Sequence, residues 1–228
     1  MGLNVIMMGP PGAGKGTQAE RFARERGLPK ISTGDILREG IKTKLAAAVE
    51  AKAAMDRGEL VDDSTMIEIV RNRLLQPDTT AGFVLDGFPR TVPQARALDE
   101  IMGERGNGPL VVVDVVVPEK ELMRRLAGRR ICSTCGTNAE LSGDGASRNL
   151  CGKCGGALMQ RTDDHDNVVS ERLKIYMRQT QPLVDYYRER PTFRVVNGAQ
   201  APERVAHELD TVIGDAAAVG TAMRTERT

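Results

Sequence analysis

The sequence predicts an α/β protein built on a doubly wound, five-stranded parallel sheet with a phosphate-binding loop. Three observations support this fold: a glycine-rich turn after the first apolar segment, an alternation of short apolar segments with longer amphipathic ones, and one continuous apolar run. The predicted strands are residues 3–8, 30–32, 82–85, 110–117 and 193–196. The run at 110–117 is almost entirely valine and leucine, which is typical of a strand covered on both faces.

The first predicted strand ends in the turn Gly9-Pro-Pro-Gly-Ala-Gly-Lys-Gly-Thr17, which a helix-forming segment follows. Glycine permits backbone angles at which successive N–H groups point at phosphate oxygens, and the helix adds the positive end of its dipole. The turn therefore predicts a nucleoside triphosphate site, with Lys15 on the β- and γ-phosphates and Thr17 beside Mg²⁺. It departs from the general G-x-x-x-x-G-K-[ST] pattern, because Gly16 stands where the hydroxyl is expected. The predicted contacts in the turn are Gly12, Ala13, Gly14, Lys15, Gly16 and Thr17.

Two segments interrupt the alternation and are predicted to be insertions over the ligand crevice. Residues 32–61 have a helical pattern without a strand, and residues 125–161 are rich in glycine, cysteine and serine. At the carboxyl end of the chain, residues 214–228 are rich in alanine, glycine and threonine, and we expect a frayed tail without a function there. The core domain is then formed by residues 1–31, 62–124 and 162–228.

An acidic residue follows the third predicted strand. Asp86 ends the apolar run 82–85, where a carboxylate can orient water on Mg²⁺ beside the phosphate loop. The alternative interpretation is that Asp86 caps the turn that it forms with Gly87.

The four cysteines of the chain all lie in the second insertion, in the pattern Cys132-x2-Cys135-x15-Cys151-x2-Cys154. This spacing is typical of a four-thiolate zinc site, and a glycine after each pair permits the tight turns of such a site. Because all four ligand positions are filled by protein, the predicted Zn²⁺ is structural. Disulfides and a redox-active pair are the competing interpretations, and the cytoplasmic location predicted below disfavours disulfides.

The composition gives no sign of a polyanionic or membrane partner. Lysine and arginine total 32 against 31 aspartate and glutamate, for a net charge of +1. The apolar runs are strand-length, and the first lacks the basic leader of a signal peptide. We therefore expect a cytoplasmic protein that binds neither nucleic acid nor membrane.

Four motifs together resemble the signatures of adenylate kinases. They are the glycine-rich turn, Ser32-Thr-Gly-Asp-Ile-Leu-Arg38, Asp86-Gly-Phe-Pro-Arg-Thr91 and Gly128-Arg-Arg130, in the family's order and over nearly the whole chain. The resemblance implies reversible phosphoryl transfer from Mg-ATP to AMP, which gives two ADP, commonly by a monomer. It also implies that residues 32–61 bind the nucleoside monophosphate (NMP) and that residues 125–161 form the long, metal-bearing lid of bacterial members.

The resemblance further implies roles for individual residues. Arg38 and Arg90 would bind the AMP phosphate, and four arginines would converge on the transferred group from the lid and its flanking helix: Arg125, Arg129, Arg161 and Arg172. The adenine of ATP would stack on Arg125 and contact main chain from Gly198 to Gln200. The AMP site would be completed by Thr33, Glu59, Leu60, Val61, Gly87 and the amide of Gln94, together with Arg161 and Arg172.

Base selection stays open at this level, because an amide such as that of Gln94 can serve a purine or a pyrimidine by rotation. The main alternative is therefore another nucleoside monophosphate kinase, with UMP or CMP as acceptor or GTP as donor. A GTP-binding switch protein is disfavoured, because the chain has no Asn-Lys-x-Asp guanine signature. A zinc-ribbon nucleic-acid module would leave the phosphate loop unexplained.

Overall fold

The computed structural model describes residues 2–43, 46–140 and 149–225. In these residues the strands are β1 (Leu3–Met8), β2 (Lys30–Ser32), β3 (Gly82–Asp86), β4 (Leu110–Val116), β5 (Arg129–Cys132), β6 (Asn138–Glu140), β7 (Leu158–Met159) and β8 (Phe193–Asn197). The α-helices are α1 (Lys15–Arg26), α2 (Thr33–Lys42), α3 (Ala46–Asp56), α4 (Asp63–Leu74), α5 (Val92–Arg105), α6 (Glu119–Gly128), α7 (Asp166–Ile175), α8 (Pro182–Arg188) and α9 (Pro202–Thr225). A π-helical turn, Tyr176–Thr180, joins α7 to α8.

Five of these strands form a parallel sheet in the order β2-β3-β1-β4-β8. All five predicted strands are present within a residue of their predicted ends, and the predicted α/β fold is confirmed. Residues of β1 alternate between the two faces: Ile6 packs with Leu98 of α5 and Tyr187 of α8, whereas Val5 packs with Phe22 of α1. Helices cover both faces, which explains why β4 is apolar except for Asp114.

The register of the sheet places the carboxyl end of β3 beside the phosphate loop. Asp86 pairs with Met7 of β1 on one side and with Ser32 of β2 on the other. Since parallel strands end at the same edge of the sheet, the loop after β1, the start of α2 and Asp86 meet there.

The segments predicted to be insertions contain helices in the first case and a second sheet in the second. Residues 32–61 contain α2 and α3, and residues 125–161 contain an antiparallel sheet in the order β6-β5-β7.

The predicted frayed tail is wrong for residues 214–225, because α9 continues to Thr225. Ile213 and Ala216 are buried in the same core as Phe22, at 1% and 0% exposed. A Cβ on Gly220 would lie only 2.6 Å from Cβ of Pro109. The prediction took the alanine- and glycine-rich composition as a sign of a frayed tail, but alanine is the best helix former. The small residues also allow α9 to pack closely on the sheet. Residues 226–228 lie outside the described part of the chain.

Among the described residues, every helix is too short or too polar to cross a membrane.

Candidate active site

The phosphate loop has the backbone geometry that its glycines predict. Gly12 and Gly14 have φ angles of 85° and 90°, in the region that side chains disfavour, and α1 begins directly after them at Lys15. No side chain caps this helix. The N-terminal N–H groups of α1 are thus left for an anion.

The structure explains why Gly16 occupies the hydroxyl position of the loop pattern. A Cβ at this residue would lie 3.1 Å from Oδ2 of Asp86, so a longer side chain would displace the carboxylate. Thr17, the next residue, lines the cleft. A carboxylate and a hydroxyl are oxygen ligands of the kind that Mg²⁺ prefers, so these two residues fit the predicted ion.

Lys15 is folded back into its own loop, where Nζ donates a hydrogen bond to the carbonyl of Pro10 at 2.8 Å. Burial lowers the pKa of Lys15 from 10.5 to about 8. Asp86 opposes this shift, while Arg90, Arg172 and Arg129 reinforce it. The ammonium group therefore lies in an excess of positive charge that a polyphosphate would relieve.

The loop opens into a cleft of about 370 Å³ between the core, α2 and the small antiparallel sheet. The structure brings most of the predicted site residues together in its lining: Gly12, Gly14, Lys15, Gly16, Thr17, Thr33, Arg38, Glu59, Leu60, Val61, Asp86, Gly87, Arg90, Gln94, Arg125, Arg129, Arg161 and Arg172.

Two predicted residues do not line this cleft. Ala13 is buried behind the loop, with its carbonyl 3.5 Å from Nη1 of Arg125. Gln200 turns its amide to the carbonyl of Asn197 and, at 2.6 Å, to the carboxylate of Glu208. Arg125 nevertheless lies beside the segment predicted to contact adenine, because Nη2 donates to the carbonyl of Gly198 at 3.0 Å.

A buried carboxylate that the sequence analysis missed holds two of the arginines. Asp164 is 0% exposed and accepts from both Nε (2.6 Å) and Nη2 of Arg129, and from Nη1 of Arg172 at 2.9 Å. Asp163, which lines the cleft, pairs with Arg172 at 2.9 Å. The available signal was the acidic pair two residues after Arg161, since clustered buried arginines need opposite charge.

Positive charge still exceeds negative charge around the cleft. Burial, together with neighbouring guanidinium groups, lowers the pKa values of Arg90 and Arg161 to about 10. Nε of Arg161 is buried without a hydrogen-bond partner. These features predict a strongly attractive site for phosphate groups.

The end of the cleft away from the phosphate loop combines polar and apolar groups. Nε of Arg90 and Oγ1 of Thr33 both donate to the carbonyl of Gly87, at 2.8 and 2.9 Å. Arg38 pairs with Asp35 at 2.5 Å. Apolar residues line the same region: Leu37, Met55, Leu60, Val61 and Met66. This end can accept an anionic group and an adjoining flat ring.

The four cysteines form a separate centre in the small antiparallel sheet. All four sulfurs lie within 4.8 Å of one another as free thiols, with Cys132 3.5 Å from Cys154 and Cys135 3.6 Å from Cys151. Thiolates about 2.3 Å from one zinc ion are about 3.8 Å apart, so the cluster fits tetrahedral zinc. Backbone N–H groups of Cys135 and Thr134 lower the pKa of the Cys132 thiol, as a ligand thiolate requires.

The fold and the cleft together define a class. A phosphate loop at the head of α1, a carboxylate at the end of the adjacent parallel strand and converging arginines are the parts of a phosphate-loop phosphotransferase.

Comparison with known proteins gives the family. The family model "Adenylate kinase" matches residues 7–192. The chain is 46% identical to the adenylate kinase of Archaeoglobus fulgidus over 212 residues, which are 92% of this chain and 98% of that protein. It is also 46% identical to the adenylate kinase of Bacillus subtilis over 213 residues, 93% of this chain and 98% of that protein. The chain belongs to the adenylate kinase family and is a phosphotransferase of the nucleoside monophosphate kinase class, as its motifs predicted.

Proposed function

We propose that this protein catalyses reversible phosphoryl transfer from Mg-ATP to AMP, which gives two ADP. The observation that carries this function is one cleft in which the phosphate loop, Lys15 and five arginines converge: Arg38, Arg90, Arg129, Arg161 and Arg172. Two polyanions can be held together only where positive charge is fixed in this way, and the charge that develops on the moving group needs the same stabilisation.

The donor triphosphate lies on the phosphate loop. The N-terminal N–H groups of α1 bind its oxygens, and Lys15 leaves the carbonyl of Pro10 to reach the β- and γ-phosphates. Mg²⁺, when bound with the nucleotide, neutralises charge on the phosphate oxygens. Asp86 and Thr17 are the residues that would hold it. The adenine ring stacks on Arg125, close to Gly198 and Gln200.

The acceptor phosphate binds to Arg38 and Arg90, and Arg129, Arg161 and Arg172 stabilise the transferred group. Asp164 fixes the direction of two of these arginines. No general base is needed, because the attacking atom is an anionic phosphate oxygen.

The two insertions act as movable parts in this proposal, with residues 32–61 as the NMP-binding segment and residues 125–161 as the lid. Zn²⁺ on Cys132, Cys135, Cys151 and Cys154 stabilises the lid. These residues have no place in the transfer itself. We also propose that the protein is a cytoplasmic monomer whose partners are ATP, AMP and ADP, and that it binds neither nucleic acid nor membrane.

A coupled turnover assay of purified protein against a panel of nucleoside mono- and triphosphates tests the function. We expect ATP with AMP to give the highest kcat/KM. A preference for UMP or CMP as acceptor, or for GTP as donor, would replace this proposal with the alternative kinase. Absence of turnover with every pair would refute it.

A further inference from the structure

The side-chain amide of Gln94 is almost completely buried, at 1% exposed, and both of its ends have partners within the protein. Oε1 accepts from the backbone N–H of Arg90 at 2.8 Å, and Nε2 donates to Oδ1 of Asp63 at 2.7 Å. A backbone N–H only donates and a carboxylate only accepts. Rotating the amide by 180° would therefore turn both contacts into mismatches, and its direction is fixed.

Asp63 is itself held in place. It lies in the first turn of α4, and both of its oxygens are 2.9 Å from Oγ1 of Thr91, the residue that caps α5. Gln94 lines the cleft, whereas Asp63 does not belong to its lining. Asp63 thus acts on the cleft only through the amide.

A fixed amide still has one lone pair on Oε1 and one N–H on Nε2 for a ligand. A 6-amino purine offers the complementary pattern, with an exocyclic N–H donor beside a ring nitrogen that accepts. A 6-oxo purine offers the reverse, an exocyclic acceptor beside a ring N–H. Both bases could be served equally only if the amide could rotate.

We infer that Asp63 is a positioning residue that fixes the direction of the Gln94 amide and so selects an acceptor nucleotide with a 6-amino purine over one with a 6-oxo purine. The inference rests on the proposed function and on the prediction from the adenylate kinase motifs that the base of AMP lies at Gln94. It reduces the ambiguity in base selection that the sequence leaves at Gln94, because a fixed amide does not match a base with an exocyclic oxygen beside a ring N–H.

The unaltered protein gives a first test with three acceptors of nearly equal size: AMP, IMP and purine riboside 5′-monophosphate, which lacks the 6-substituent. With a fixed amide, purine riboside monophosphate loses one hydrogen bond but IMP meets two mismatches. We expect kcat/KM to fall in the order AMP, purine riboside monophosphate, IMP, with IMP about 100-fold below AMP. IMP above purine riboside monophosphate would show a rotating amide and overturn the inference.

Two variants then test Asp63 directly. Asp63→Asn can face Gln94 with either oxygen or nitrogen, so we expect the AMP-to-IMP ratio of kcat/KM to fall on the order of 10-fold. Asp62→Asn is the control, because Asp62 is the acidic neighbour that caps α4 by accepting from the backbone N–H of Thr65, away from the amide. It should lower the melting temperature and leave the ratio unchanged. A merely structural role of Asp63 would lower turnover of both nucleotides alike.

The double variant Asp63→Asn/Gln94→Glu exchanges donor and acceptor across the same contact. A carboxylate at 94 offers only acceptors, so each base keeps one hydrogen bond, from the exocyclic N–H of AMP or from the ring N–H of IMP, and meets one mismatch. We therefore expect the AMP-to-IMP ratio of kcat/KM to fall towards one. An AMP-to-IMP ratio that stays at its original value in either active variant overturns the inference alone. Absence of AMP turnover in the unaltered protein would overturn the proposed function and this inference with it.

Discussion

Asp164 supplies the most direct test of how the transfer site is held together. It is 0% exposed and is bound by Nε and Nη2 of Arg129 and by Nη1 of Arg172. Asp164→Asn keeps the volume of the side chain and removes its charge. Breaking a buried ion pair from one side costs about 3–5 kcal/mol. For a chain of this size about 1 kcal/mol lowers Tm by about 2–4 °C, so we expect a decrease of about 6–20 °C.

We expect kcat of Asp164→Asn to decrease by more than its loss of stability explains. In Asp164→Asn two arginines lose the carboxylate that fixes their direction before the substrates arrive. Loss of one preorganised contact to the transition state typically costs about 10²–10³-fold in kcat. We expect a decrease of about 10²-fold, measured in the coupled assay at a temperature where circular dichroism shows the variant folded.

Two controls separate the causes of these effects. Asp163→Asn removes the pair with Arg172 alone, so its effect on Tm and kcat should be smaller. Asp185→Asn removes a pair with Arg188 on an exposed helix surface, where such pairs contribute about 0–1 kcal/mol, and it should change neither. A folded Asp164→Asn protein with nearly unaltered kcat would refute the reasoning.

Four further predictions concern the loop, its charge, the metal and the lid. Lys15→Ala should fold normally and lose about 10²-fold or more in kcat; near-normal turnover would contradict the assigned role of Lys15. Because the pKa of Lys15 is lowered to about 8 in the free protein, ATP affinity measured by calorimetry should decrease above pH 8. The same affinity should stay flat in Lys15→Arg, whose guanidinium keeps its proton. Metal analysis should find one tightly bound metal ion per chain. Its removal, or Cys132→Ser with Cys135→Ser, should lower Tm by several degrees and spare most turnover at low temperature, since no phosphate contact is lost; an unchanged Tm would exclude structural zinc. Closure of a lid over its substrates is a property of the adenylate kinase family, so a saturating bisubstrate analogue should reduce the radius of gyration in solution scattering, and an unchanged radius would count against closure.

The pH prediction also has a consequence for stability. In the unfolded chain Lys15 keeps its ordinary pKa of 10.5, whereas in the folded protein the pKa is about 8. Between these values the unfolded state binds more protons, so this group makes the free energy of unfolding increase as pH rises from about 8 to 10.5. Lys15→Ala should remove that contribution.

Several features of this protein could be predicted because they are local in the chain. The loop Gly9–Thr17 contains its own glycines, lysine and helix start within nine consecutive residues. The paired cysteines have a spacing that already fits one tetrahedral ion. The almost continuous valine run of β4 already indicates a strand covered on both faces. Such patterns need no knowledge of distant contacts. The C-terminal helix was missed because its signal is the weak preference of alanine, and packing against Phe22 and Pro109 could not be foreseen.

The amino-acid sequence by itself thus determined the sheet, the phosphate loop, the cysteine cluster and the family. Only the tertiary structure decided which carboxylates hold the arginines and the Gln94 amide in place. Asp164 lies 35 residues from Arg129, and Asp63 lies 31 residues from Gln94. No motif contains either pair, because each forms only when separate helices and strands have packed. The direction of the Gln94 amide is therefore a property of the folded chain, since its two partners, Asp63 and the backbone of Arg90, come together only there.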